Sequence, residues 1–348
     1  MSAPGLVADL ATLVSSLVSS LVPGVVSAAE DIDEVAVNFA PSSLVLLNVV
    51  LGLIMLGIAL DTSPDDFRAV ARHPRSFAIA IAAQLLVLPI VTFGLTLVLP
   101  VTASMALGML LVACCPPGNI SQVLTHRAGG NVALSVSMTA VGNLLYIAAM
   151  PLSIAFWGSL HPDTDALLTD VDLDPLRMLL EIVLIIGVPF AVGLAVRARF
   201  GRFAAAVQPG VKWFSLLALL GFIVGALAGN WAVFVQFLGV ILLVVALHDA
   251  VALAIGYLTA RLGGLGVRER KAMTFEVGIR NAGLGLGIVM TFFDGLGGMA
   301  VVAGWWGVWD IIAGLVLASL WARHSRRRGG EAASSAPGAQ PGTTAVGS

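Results

Sequence analysis

The sequence predicts an all-α polytopic membrane protein with about nine to ten transmembrane helices. Hydrophobic residues make up 58% of the chain and charged residues only 11%, and the mean hydropathy is +0.99. Apolar runs that reach the roughly 20 residues needed to cross a bilayer recur between residues 42 and 322. A soluble domain with so few charges could not cover its surface, so we expect one membrane unit.

Charged residues, Pro and Gly delimit the candidate spans. The spans are residues 42–60, 76–99, 103–125, 132–157, 177–196, 213–229, 232–260, 272–293 and 299–322. Apart from Arg177 and Arg280, all Lys and Arg residues lie on one side of this arrangement. The positive-inside rule makes that side cytoplasmic, which predicts a cytoplasmic C-terminus.

The two ends of the chain differ from its apolar middle, residues 42–325. In the N-terminal segment, residues 1–41, Leu residues recur at helical spacing between positions 4 and 28. This stretch is either a tenth span or an interfacial amphipathic helix. A cleaved signal peptide is disfavoured because Arg68 is the first basic residue. Residues 326–348 are rich in Gly, Ala, Ser and Pro, and we expect a disordered cytoplasmic tail.

The composition also restricts partners and location. No basic stripe faces one surface, so we expect no nucleic acid partner.

Cys114 and Cys115 are adjacent in an apolar run, where neither a loop disulfide nor a metal site is expected, and we expect no covalent cofactor. Lys212 and Lys271 are the only lysines and no eukaryotic targeting segment is visible, which favours a bacterial plasma membrane. The sequence does not indicate an oligomeric state.

The third span, 103–125, contains a helix-breaking sequence at its centre, Pro116–Gly118. Proline removes amide donors, so a regular helix should not pass through this point. A simple kink packed by neighbouring helices is the alternative. The polar residues Asn119, Ser121 and Gln122 follow at once, and they favour a binding site over a kink.

In the next span, Ser135 and Thr139 are four residues apart and share one helical face. Their hydroxyl oxygens suit a hard cation such as sodium. Alternatively, they bond their own helix carbonyls or tighten helix packing.

The eighth span contains a second polar cluster in which Glu276 and Arg280 lie about one turn apart. A carboxylate that faced lipid would be costly, so Glu276 should line the interior. There it would pair with Arg280, with Asp249 or Asp310, or with a bound cation. A purely structural ion pair would not explain the adjacent Asn281. It would not explain the loosening glycines either, which are Gly278, Gly283, Gly285 and Gly287.

At these residues the chain resembles the bile acid:sodium symporter family. Residues 113–123 read ACCPPGNISQV and residues 275–284 read FEVGIRNAGL, similar to the family's Cys-Cys-Pro-Gly-Gly type and Glu-Val-Gly motifs. The flanking matches are GNVALSVSMT at 130–139, LHD at 247–249 and VWDIIAG at 308–314. The resemblance covers about residues 42–325.

The resemblance implies two inverted repeats, about 42–157 and 177–322, arranged as a panel domain and a core domain. Two helices would cross at unwound centres beside two sodium sites. Sodium entry would then drive uptake of an organic anion, either bile-acid-like or a small carboxylate. The chain would be a symporter in the lipid bilayer and not an enzyme.

The resemblance also implies site residues. The first sodium site would use Ser121, Gln122, Ser135, Thr139 and Glu276. The second would use Gln84, Glu276 and the backbone carbonyls of Val277 and Ile279. Substrate contacts would come from Asn119, Asn281 and the neighbouring position Asp310.

Arg280 is the largest departure from the family, because it stands where the family has a glutamine that ligates the second sodium. One hypothesis is a charge pair with Glu276 or Asp310 that leaves one coupled sodium or none. Another is that Arg280 binds the anionic head of the substrate. Three further departures are Asp310 for histidine, Gln122 for asparagine and Pro117 for glycine.

The same sequence features are compatible with other functions. A carrier of the same fold that is sodium-independent or proton-coupled is one alternative. A transporter-fold sensor or a membrane enzyme is another, the enzyme using His248 and Asp249 with Cys114 or Ser121. Adjacent residues point about 100° apart on a helix, and no G-x-S-x-G motif is present, so we favour a satisfied polar pair for His248 and Asp249.

Overall fold

The computed structural model describes residues 41–99, 101–170, 175–229 and 231–334. Within these ranges every regular element is a helix, apart from one isolated β-bridge. The predicted all-α polytopic class is therefore confirmed. The N-terminal segment, predicted to be either a tenth span or an interfacial helix, lies outside the described residues except for Pro41.

The helices follow one another with short connections. The first group is α1 (Pro41–Asp61), α2 (Pro64–Arg72), α3 (Pro74–Val98), α4 (Ala103–Ala113), α5 (Ile120–Arg127), α6 (Val132–Leu160) and α7 (Thr164–Asp170). The second group is α8 (Pro175–Ile182 continuing to Val188–Arg199), α9 (Gly201–Gly229), α10 (Trp231–Leu262), α11 (Val267–Gly278), α12 (Ala282–Phe292) and α13 (Gly297–Ser334).

Five of these helices are, in the described part of the chain, long and apolar enough to cross a membrane singly. They are α3, α6, α8, the Ile241–Leu262 part of α10 and the Gly297–Ser325 part of α13. Shorter apolar helices comprise Val45–Asp61, α4 and α12. The chain is a multi-pass membrane protein, and the predicted total of nine to ten spans stays a prediction.

Two helices contain a π-helical turn directly before a proline. In α3 the turn is Ala83–Val87, and in α8 it is Val183–Gly187. Leu88 N–H donates to the Ala83 carbonyl five residues earlier, so the helix widens ahead of Pro89, which has no N–H to donate. The widened turn in α3 carries Gln84, whose side chain is buried.

Helix packing divides the molecule into two groups of contacts. Helix α1 packs mainly on α8 and α9, whereas α10 packs on α11 and α13 packs on α4, α5, α10 and α12. Small residues bring some helices into close contact: a Cβ at Gly256 of α10 would lie 2.5 Å from the Met273 carbonyl oxygen of α11. The short helices α4, α5, α11 and α12 are therefore held between longer ones.

Three predicted boundaries differ from the structure. Helix α13 runs to Ser334, so the tail predicted to begin at 326 starts with nine helical residues. Arg326–Arg328 and Ala332–Ala333 are good helix formers that extend the preceding hydrogen-bonded turns. Helix α9 begins at Gly201, well before the predicted 213, because the Ala204–Ala206 run favours helix ahead of the apolar segment. The loop predicted between 157 and 177 contains the short helix α7.

Candidate functional site at two crossing helix breaks

Both predicted breaks are confirmed. Helix α4 ends at Ala113 and α5 begins at Ile120, so Pro116–Gly118 lie in an unwound segment. Helix α11 ends at Gly278 and α12 begins at Ala282, which leaves Ile279–Asn281 unwound. We refer to these as the first and second breaks.

The two breaks pair with each other through an antiparallel bridge between Pro117 and Arg280. Gly118 N–H donates to the Ile279 carbonyl at 2.9 Å, and Asn281 N–H donates to the Pro116 carbonyl at 2.9 Å. Each break leaves backbone N–H and carbonyl groups without helical hydrogen bonds, and the opposite break supplies their partners. Buried backbone groups at membrane depth require such partners. A Cβ at Gly118 would lie 2.9 Å from the Arg280 carbonyl oxygen, so glycine permits this approach.

Four half-helix ends meet at this crossing. The C-terminal ends of α4 and α11 carry partial negative charge, and the N-terminal ends of α5 and α12 carry partial positive charge. The Asn281 side chain caps α12 by accepting from Leu284 N–H at 3.1 Å. Asn119 occupies the corresponding position before α5, is partly exposed and makes no such cap. Asn119 is therefore freer than Asn281 to contact a ligand.

Glu276 lies at the centre of a hydroxyl cage. Ser121 Oγ of α5 donates to Glu276 Oε1 at 2.6 Å, and Ser135 Oγ of α6 donates to the same oxygen. Thr139 Oγ1 lies 3.1 Å from Oε1 and 2.9 Å from Oε2. The structure thus brings together four of the five residues predicted for the first sodium site. The fifth, Gln122, is partly exposed on α5 directly after Ser121.

The cage is chemically suited to a small hard cation. Glu276 has no exposed surface. No basic side chain lies within ion-pair distance of its carboxylate in the described part of the chain. A buried carboxylate needs a positive partner or a proton. Carboxylate and hydroxyl oxygens together are the ligands such a cation prefers.

The residues predicted for the second sodium site provide fewer free oxygen ligands than those of the first site. Gln84 of α3 is buried, and its Oε1 has no hydrogen-bond partner among the described residues. A Cβ at Gly142 of α6 would lie 3.9 Å from this oxygen and 3.3 Å from Pro117, which places Gln84 near the first break. The Ile279 carbonyl already accepts Gly118 N–H, and Val277 is buried in the last turn of α11.

Arg280 is buried and forms no ion pair with either of the carboxylates suggested as its partners. Its Nη2 donates to the Ala113 carbonyl and to the Tyr146 hydroxyl, each at 2.8 Å. The guanidinium carbon lies 5.4 Å from the Tyr146 ring centroid. The predicted ion pair with Glu276 or Asp310 is therefore wrong. The side chain reaches instead to the C-terminal end of α4, where unpaired carbonyls concentrate negative charge.

Two guanidinium nitrogens of Arg280, Nε and Nη1, have no hydrogen-bond partner among the described residues. Guanidinium donors in a fixed fork are well suited to a carboxylate or another oxyanion. This part of Arg280 is therefore available to an anionic ligand.

Asp310 and the His248–Asp249 pair lie on the α13 and α10 side of the crossing. Asp310 is buried on α13, beside the Arg280 backbone N–H. His248 Nε2 lies 2.7 Å from Thr92 Oγ1. Both Asp249 carboxyl oxygens are buried and unpartnered in the described structure. The expectation of a satisfied polar pair is therefore met only at Nε2 of His248, because Nδ1 has no partner among the described residues, and it is wrong for Asp249.

Sequence reasoning missed two partners of Arg280, the Ala113 carbonyl and Tyr146. A usable signal existed for Tyr146, because it lies two helical turns after Thr139 on the same polar face of α6. No sequence signal distinguishes the Ala113 carbonyl from its neighbours.

Comparison with known proteins identifies the family. The profile of the Sodium Bile acid symporter family matches residues 48–237. The uncharacterized sodium-dependent transporter YocS of Bacillus subtilis is 30% identical over 282 residues, which is 81% of this chain and 84% of that protein. The probable chloroplastic sodium/metabolite cotransporter BASS1 of Arabidopsis thaliana is 29% identical, over 80% of this chain and 67% of the relative.

A human relative is similar over most of its length. The ileal sodium/bile acid cotransporter is 25% identical over 253 residues, which is 71% of this chain and 70% of that protein. These relatives are transporters, which confirms both the resemblance seen in the two motifs and the expectation that the chain is not an enzyme. The broken, crossing helices and the extent of these matches together show that this chain is a multi-pass transporter of the sodium bile acid symporter family.

Proposed function

We propose that this chain couples the entry of one sodium ion to the uptake of an organic anion. The sodium would bind Glu276, Ser121, Ser135 and Thr139, with Gln122 within the same turn of α5. One observation carries the proposal: the Glu276 carboxylate is fully buried, surrounded by three hydroxyls, and without a basic partner among the described residues. The sodium-dependent relatives support the same coupling ion.

Arg280 would act as a fixed cation in place of a second sodium. Its guanidinium carries the positive charge permanently, because arginine does not lose its proton in proteins. It is anchored at the end of α4, where a cation is favoured by the helix dipole. A mobile cation placed beside it would be repelled, so we propose that Gln84, Val277 and Ile279 do not hold sodium here.

The substrate would be an organic anion, bile-acid-like or a small carboxylate. The N-terminal ends of α5 and α12 and the two unpartnered nitrogens of Arg280 all favour negative charge. Asn119 would contact the substrate, whereas Asn281 would act mainly through its cap of α12.

We also propose that the chain works by alternating access in a bacterial plasma membrane with a cytoplasmic C-terminus. Repeats at about 42–157 and 177–322 would each contribute one broken helix to the crossing, α4–α5 and α11–α12. Relative movement of the two packing groups around the fixed crossing would expose it to each side in turn.

The test is sodium-dependent stabilisation of the purified protein. A ligand that binds only the folded state stabilises it by about 2.7 kcal/mol at 100 times its Kd. We expect NaCl to raise the thermal midpoint above that in equimolar KCl, and Glu276→Gln to abolish the difference. The matched control is Glu181→Gln, which changes a carboxylate paired with an exposed arginine and should keep the sodium effect. Equal midpoints in the two salts, or an unchanged effect in Glu276→Gln, would contradict sodium binding at the cage.

A further inference from the structure

A second buried acidic group, the pair Asp249 and Asp310, is not used by the proposed sodium site. Asp249 on α10 is 1% exposed, and Asp310 on α13 is 3% exposed. The helices α10 and α13 that carry them pack on each other, and both Asp249 carboxyl oxygens lack a hydrogen-bond partner among the described residues. The helices that carry them are fixed next to the pair, because the His248 and Trp306 rings meet edge to face with centroids 4.7 Å apart.

The surroundings of this pair supply no countercharge in direct contact. Neither aspartate forms an ion pair among the described residues. The Arg280 backbone N–H, not its side chain, faces Asp310, because the guanidinium is bonded to the Ala113 carbonyl and Tyr146. The other buried titratable groups on the surrounding elements are His248 on α10, Cys114 and Cys115 after α4, Tyr146 on α6 and Glu276 on α11.

Charge balance at the crossing calls for one more positive charge. Leaving histidine aside, the buried charged side chains of the described residues are Glu276, Asp249, Asp310 and Arg280. If all were ionised, three carboxylates and one guanidinium would leave an excess of two negative charges at membrane depth, where uncompensated charges are strongly disfavoured. A sodium ion at Glu276 offsets one of them. The second must be offset at the aspartate pair.

We infer that Asp249 and Asp310 hold one exchangeable proton between them, which makes the pair a proton-binding site. Two neighbouring carboxylates in a low-dielectric site do not both ionise, and they lose their protons as a coupled unit. A proton requires no cavity and no further ligands, which fits two side chains with almost no exposed surface. A sodium ion would need several more oxygen ligands than these two side chains supply.

The proton has a consequence for transport that rests on the proposed function. With one sodium and one proton bound, the buried side chains and ions carry no net charge, and the substrate is the only added charge. The pair would therefore serve as a second coupling site beside sodium. A cationic group of the substrate could balance the charge of the pair instead of a proton. A measurement without substrate distinguishes the bound proton from the cationic group.

Infrared spectroscopy of the purified protein tests the proton directly. We propose to record it at neutral pH in saturating NaCl without substrate, so that Glu276 is ionised and no organic cation is present. The carbonyl stretch of a protonated carboxylic acid should be visible in the wild type. It should be lost in both Asp249→Asn and Asp310→Asn, because the remaining carboxylate then serves as the countercharge of Arg280.

The control is Asp294→Asn, an exposed residue with φ 48° that asparagine also tolerates, and it should keep the band. Absence of the band in the wild type would overturn the inference and favour a cationic substrate group. Its persistence in both pair variants, or its loss in only one of them, would overturn the shared proton. The band does not depend on sodium-dependent stabilisation, so its failure and the failure of the Glu276 test are distinguishable.

Discussion

At the scale of single residues, Glu276 and Arg280 lie four positions apart but contact different neighbours. The carboxylate is surrounded by hydroxyls from α5 and α6, whereas the guanidinium is bonded to the end of α4 and to Tyr146. Their separation matters because an arginine bonded directly to Glu276 would take the place of the cation that we assign to the cage. Tyr146 therefore keeps the two charges apart as well as satisfying a buried donor.

The two tyrosines of the chain offer a matched test of that role. Tyr146→Phe leaves Arg280 Nη2 with only the Ala113 carbonyl, and a lost hydrogen bond to a buried charged group costs about 1.5–3 kcal/mol. We expect a fall in stability of that order, measured by thermal or denaturant unfolding. Tyr257→Phe removes a hydroxyl from a partly exposed ring and should change stability by less than about 0.5 kcal/mol. Equal effects of the two changes would show that the Arg280 bond contributes nothing.

The sequence predicted which residues form the hydroxyl cage around Glu276. It did not predict the direction of the Arg280 side chain. Glu276 could be assigned to the interior because a carboxylate is costly in lipid, and the hydroxyls of Ser135 and Thr139 had to share a face. The direction of Arg280 could not be predicted, because a long flexible side chain reaches several acceptors and one of those it bonds is a backbone carbonyl. The isolation of Asp249 is likewise a consequence of tertiary packing.

At the scale of elements, the crossing depends on two short unwound segments with no room for side chains between them. Gly118 is the closest point, since an added Cβ would meet the Arg280 carbonyl at 2.9 Å. The breaks themselves follow from local sequence, because Pro116 and Pro117 interrupt one helix and glycines weaken the other. Their pairing is a contact between residues more than 160 positions apart, and only the family resemblance indicated it.

Gly118→Ala should push the two breaks apart. Overpacking of this kind costs about 1–3 kcal/mol, and displacement of Ser121 in the next turn should weaken the sodium effect at Glu276. The control is Gly94→Ala in α3, where an added Cβ meets nothing within 4 Å. That change should be neutral or stabilise by up to about 1 kcal/mol through helix propensity. Thermal midpoints in NaCl and KCl measure both effects, and a full sodium effect in Gly118→Ala would argue against a rigid crossing.

At the scale of the whole molecule, hydropathy determines the membrane class and the loop charges determine the proposed orientation. Neither indicates how many ions move per cycle, because that number depends on a few buried charges that compensate one another. In this chain Arg280, one sodium and one shared proton would together balance Glu276, Asp249 and Asp310. Coupling would therefore be a property of the assembled crossing and not of any single helix.

The most direct test of this account is the number of sodium ions bound per purified chain, measured with radioactive sodium at saturation. We expect one in the wild type. Arg280→Gln removes the fixed cation and restores an amide oxygen beside Gln84 and Glu276, so we expect two, whereas Arg177→Gln, which changes an exposed arginine, should keep one. Two ions in the wild type, or an unchanged single ion in Arg280→Gln, would contradict the replacement of the second sodium by Arg280.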